Sequence, residues 1–132
     1  MHYYDENEDL YRSHYPATPS LAPISGVDKL WEMEMDNTYL KYLYPKITRQ
    51  ISEFVENECD KMEYEGSLMF DQFPDKVALQ MMAAGITQQF KKENPDVYPN
   101  QPELLRDMIE VVLFHEIMYR RNRYRNHKRL YL

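Results

Sequence analysis

From residue 37 onward, apolar positions recur every three or four residues, the period of one face of an α-helix. The first row is Leu40, Leu43, Tyr44, Ile47, Ile51, Phe54, Val55 and Met62. It predicts a helix from about Asn37 to about Glu65, kinked or broken at Pro45, which lacks a donor and clashes with the preceding turn. Gly66 is a natural residue to follow its end. A second row, Val77, Ala78, Met81, Met82, Ile86 and Phe90, predicts a helix from Pro74, a favoured first-turn residue, to about Lys92. Ala78 and Gly85 fall near the middle of its apolar face, where another helix can approach closely.

The third predicted helix opens at Pro102. Leu104, Leu105, Met108, Ile109, Val111, Val112, His115, Met118 and Tyr119 cover about half of its circumference, and Leu113, Phe114 and Ile117 lie outside that arc. A surface helix shows an apolar stripe of roughly 100°. This helix is apolar on nearly all sides, so it is either the central helix or also faces a second subunit.

The segments between these rows are less regular. Residues 28–36, "DKLWEMEMD", predict a short helix with Asp28 as its cap and Leu30, Trp31, Met33 and Met35 as a partial apolar face. Residues 1–27 contain Pro16, Pro19, Pro23 and Gly26 and lack helical periodicity, so they read as an extended or disordered arm. The arm carries Tyr3, Tyr4, Tyr11 and Tyr15, aromatics that can anchor in a groove. The stretch 67–73, "SLMFDQF", is unusually apolar for a loop. Leu68, Met69, Phe70 and Phe73 either cap the core or meet a partner. The whole is an all-α protein with three principal helices in a small bundle. It divides into an arm with a short helix (1–36), the bundle (37–119) and a basic helical extension (120–132).

Composition agrees with this division. Three glycines in 132 residues argue against a strand-and-turn architecture. The single cysteine, Cys59, excludes an intramolecular disulfide and a cysteine-built zinc site, and points to a reducing cytoplasm. The first residues form no apolar signal region, and no apolar run approaches the roughly 20 residues of a membrane span. No membrane partner is expected.

Charge is segregated. Residues 120–132 hold six bases and no acid, so all 22 acids and the other ten bases precede them, a balance of +6 against −12. Arg120, Arg121, Arg123, Arg125, Lys128 and Arg129 with Tyr124 and Tyr131 resemble a nucleic-acid contact, in which cations meet phosphates and aromatics stack on bases. Groove-reading helices, however, gather their bases on one face, and these surround the helix. The neighbouring acidic domain would repel a phosphate backbone. The same bases complement the "DENED" run at 5–9, a pattern that suits contact between protein surfaces.

Candidate chemistry is sparse. Glu58 sits in the apolar row of the first helix, and His115 and Glu116 sit on the third. A Glu–His–Glu set on facing helices could bind a metal or do acid–base work. The Glu-x-x-His spacing of di-iron bundles is absent, "HE" at 115–116 lacks the second His of a zinc motif, and Arg120 lies one turn from Glu116, where an ion pair accounts for it. His115 reads as a core histidine and Cys59 as a small buried side chain. No cofactor motif is present.

Three stretches, "LYPKI", "ECDKMEYEGSLMFDQFPDKV" and "LLRDMIEVVLFHEIMYRR", resemble blocks found in small uncharacterised helical proteins of anaerobic, endospore-forming bacteria. The resemblance covers roughly residues 39–125 and carries no catalytic motif. It implies a cytoplasmic bacterial protein with a sporulation connection. The expectation is a non-enzymatic interaction or assembly protein that self-associates. Phe70, Phe73, Phe114, Ile117, Tyr119 and Tyr124 are its candidate contacts. Nucleic-acid binding through residues 120–129 is the alternative, and metal chemistry at Glu58, His115 and Glu116 comes third.

Overall fold

A computed structural model describes residues 26–131. Most of the arm, including "DENED" and its four tyrosines, lies outside the described residues. Four α-helices and one 3-10 turn make an all-α bundle: α1 (Gly26–Tyr42), α2 (Lys46–Lys61), the turn Leu68–Phe70, α3 (Lys76–Glu93) and α4 (Pro102–Tyr131). No strand occurs among the described residues.

Pro45 breaks the first predicted helix rather than kinking it. Its ring disfavours helical geometry at Tyr44, and it becomes the N-cap of α2 with extended backbone, φ −57° and ψ 157°. The piece before it joins the short helix expected at 28–36, so α1 runs unbroken through residue 37. Lys41 in its last turn suits the negative helix end.

α2 stops at Lys61, not at Glu65. Met62 and Glu63 turn their amides to the Cys59 and Asp60 carbonyls, a tightened last turn. Gly66 follows later, at φ +88°, a left-handed conformation natural to glycine. The side chain of Ser67 then caps the 3-10 turn by accepting from the Met69 amide at 3.2 Å.

α3 begins two residues after Pro74. Asp75 takes the cap, its Oδ2 accepting from the Ala78 amide at 3.0 Å. Its buried row is Ala83, Ile86, Thr87 and Phe90. Val77 and Met81, expected on that face, are exposed instead. Gly85 is also exposed, and a Cβ placed there meets nothing within 4 Å. The close helix approach predicted at Gly85 is absent. Gly85→Ala is therefore expected to stabilise the protein by about 0.5–1 kcal/mol by removing a flexible residue from a helix interior. Urea unfolding would measure this, and a destabilised variant would contradict it.

α4 begins at Pro102 as predicted and continues for 30 residues, about 45 Å. It touches every other element of the fold. One row, Leu105, Ile109, Leu113 and Ile117, recurs every four residues and is almost fully buried. It packs against Ile51, Val55 and Cys59 of α2, also spaced by four, and against Ala83, Ile86 and Phe90 of α3. Met69 reaches the same core from the turn, and the Phe54 ring meets Phe90 edge-on at 5.3 Å. The segment 120–131 is the last part of this central helix, not an appendage to it.

Candidate interaction surfaces

The basic end of α4 first serves the fold. Glu116 is 3% exposed and lies between two cations. Lys41 Nζ stands 2.8 Å from its Oε1, and Arg120 Nε donates to its Oε2 at 2.8 Å. Lys41 also donates to Glu56 Oε1 at 2.9 Å. Arg120 Nη1 sits 2.8 Å from Asp60 and 3.5 Å from Glu63, ion pairs without hydrogen-bond alignment. This set joins α1, α2 and α4.

Burial by itself raises the Glu116 carboxyl, but Lys41 and Arg120 outweigh it and hold the group below the usual carboxylate range. Burial by itself lowers Lys41 and Arg120, and their carboxylate partners turn both shifts upward.

Arg121 is buried for a different reason. Nη1 donates to the Met69 carbonyl at 2.8 Å and to that of Asp71, and Nη2 donates to that of Gln72 at 3.2 Å. One guanidinium thus satisfies three carbonyls of the 67–73 segment, which the planar fork of arginine can do and an ammonium cannot. Arg123 pairs with Glu63 and, at 3.7 Å, with Glu34 of α1. Arg120 and Arg121 are therefore not surface cations, and Arg123 already has acidic partners. Arg125, Lys128 and Arg129 remain exposed.

The aromatic candidates divide similarly. Phe70 stacks on Tyr124 with ring centroids 4.4 Å apart, and the ammonium of Lys128 lies 5.4 Å above Tyr124. Tyr119 is half-buried beneath Arg123. Phe70 and Tyr124 line a groove of about 510 Å³, which Trp31 and Glu34 of α1 and Tyr64 also border. Phe73 and Phe114 are exposed, as a contact residue must be. Ile117 is 4% exposed and belongs to the core, so it cannot meet a partner. It continues the four-residue row of Leu105, Ile109 and Leu113, a continuation that its place outside the wider arc concealed.

The metal candidates are not brought together. Glu58 pairs with Lys61 at 2.9 Å, and Glu116 is enclosed by Lys41 and Arg120. His115 is exposed, not a core histidine. It lies two residues from both Leu113 and Ile117, which turns it to the opposite side of the helix. Among the described residues no three His, Cys, Asp or Glu side chains gather as a metal site. Cys59 is fully buried, and burial pushes its thiol up to about 12.

Sequence reasoning allowed α4 a second, partner-facing side but did not locate it among the residues of the apolar arc. Leu104, Val111 and Met118, expected in one apolar arc with Leu105 and Ile109, are exposed, as is Phe114 beside them. The distinguishing signal is in the sequence: these three recur every seven residues, whereas the core row recurs every four. Leu40 and Leu43 of α1 are exposed as well. The Lys41–Glu116 contact sets them level with Phe114 and Met118 along α4. Among the described residues no helix is long and apolar enough to cross a membrane. Comparison with protein-family models, curated proteins and solved structures finds no match to this chain.

Proposed function

We propose that this is a non-enzymatic assembly protein that acts through protein–protein contact, chiefly with copies of itself. The observation that carries the reading is the exposed apolar row Leu104, Val111, Phe114 and Met118 on the helix that also supplies the core. Single exposed apolar residues are ordinary, but an aligned row is what a partner surface offers. Phe73, 85% exposed beside the Arg121-pinned segment, adds apolar surface nearby.

The single cysteine favours a reducing, cytoplasmic setting, and the resemblance to proteins of spore-forming bacteria extends the proposal to assembly during sporulation. Nucleic-acid binding draws less support, because three of its six cations are committed inside the fold.

Size-exclusion chromatography with light scattering at tens of micromolar tests the reading. A mass of at least two chains is expected. A single-chain mass at that concentration would sink it.

A further inference from the structure

The outer face of α4 carries more than an apolar row. At 100° per residue, Glu103, Asp107, Val111, Phe114, Met118, Arg121, Arg125 and Arg129 all fall within about 40° of one line along the helix. All are exposed except Arg121, at the edge of the face, whose guanidinium is held by the 67–73 segment. The order along that line is acidic, apolar, basic. The acids are four residues apart, and so are Arg125 and Arg129. Among the described residues no hydrogen bond or ion pair engages these four charges, in contrast to Arg120, Arg121 and Arg123.

We infer that α4 pairs with α4 of a second copy, antiparallel, across a two-fold axis near residue 116. This rests on the self-association reading above and gives it an interface. In that register Glu103 faces the partner's Arg129, Asp107 faces the partner's Arg125, and Phe114 faces the partner's Met118. The two-fold repeats each contact, as an isologous interface requires. Parallel pairing would instead set acid on acid and base on base.

The roles of the two kinds of residue differ in size. An exposed ion pair contributes about 0–1 kcal/mol, whereas burying one large apolar side chain contributes about 1.5–3 kcal/mol. The Phe114–Met118 contact, made twice across the two-fold, therefore supplies most of the association, and the charges fix its direction and register. The face from Glu103 to Arg129 spans about 39 Å, enough for a helix–helix seam along most of the molecule. This also gives Arg125 and Arg129 an acidic target on the same protein.

Two charge-reversed variants test the pairing. R125E/R129E makes both ends of the outer face acidic, and E103R/D107R makes both basic. Each alone is expected to self-associate at least tenfold more weakly than the parent. An equimolar mixture should recover the dimer, with one chain of each kind, as read by light scattering and by native mass spectrometry. Recovery in the mixture shows that neither variant is merely misfolded, and matching circular dichroism supports this. If either variant alone dimerises like the parent, or if the mixture stays monomeric while the parent dimerises, the antiparallel pairing is wrong and self-association through another surface stands. A monomeric parent overturns both.

Discussion

Glu116→Ala is expected to destabilise the fold by about 3 kcal/mol, the low end for breaking a buried ion pair, because it leaves the half-buried Lys41 and the buried Arg120 facing one another without their shared carboxylate. Lys41 and Arg120 each lie 2.8 Å from Glu116, and Arg120 is itself buried. The cost comes less from the lost attraction than from two neighbouring cations left to repel each other, with only Glu56, Asp60 and Glu63 to offset them. Replacing all three together, as K41M/E116L/R120M, should accordingly cost much less than Glu116→Ala alone, since a buried ion set and a well-packed apolar set are often close in stability. Urea unfolding of both variants measures the difference. A triple variant as unstable as the single one would show that the set contributes more than mutual compensation.

The same residue sets an acid response. A carboxyl held below its ordinary range binds a proton more readily in the unfolded chain, so its contribution is present above the unfolded value, about 4.3, and is lost as pH falls through the folded value. Stability of the parent should therefore fall below about pH 4.3, and Glu116→Gln should flatten that fall. Equal acid slopes for the two proteins would show that other carboxylates govern the response.

Phe90→Ala carries the second large effect, about 3–5 kcal/mol. Phe90 is 0% exposed, lies in the core shared by α2, α3 and α4, and is the edge-on partner of Phe54. Its carbonyl accepts the Asn94 amide that closes α3, but truncating the side chain leaves that bond intact. The loss is therefore one of packing. Phe90→Leu, which keeps most of the volume, should cost under about 1.5 kcal/mol. Denaturant titration at several protein concentrations separates these effects from any contribution of self-association. A loss below about 1 kcal/mol for Phe90→Ala would mean that α3 collapses onto the vacated space.

Much of the bundle was legible in the sequence, for a definable reason. Helical periodicity is local, and the rows on α2, α3 and α4 recur over several turns. Pro45 and Pro102 act within a residue or two of themselves, so the break before α2 and the start of α4 follow from the chain. The end of α2 was not legible, because Glu63 leaves the helix where it meets Arg120 and Arg123 from a distant part of the sequence. The division of α4 into a core row and an outer row was visible only as two competing periods. Which one faces the core depends on α2 and α3. The Arg120–Glu116 pair could be read from its four-residue spacing, but Lys41, its third member, had no local signal. Arg121 looked like one more tail cation because nothing near it announces the carbonyls of Met69, Asp71 and Gln72.

The central place of α4 has a consequence for how the protein is made. Ribosomal synthesis completes α1, α2 and α3 before Leu105 exists, yet their buried faces close mainly on α4. At about 5–20 residues per second, the stretch from Leu105 to Arg123 takes roughly one to four seconds to synthesise. Throughout that interval Phe90, Ile86 and Val55 lack their final covering. The nascent chain therefore presents sticky, half-assembled helices to its surroundings until the segment that completes them appears, and it must depend on rapid late closure or on a holding chaperone to avoid clumping.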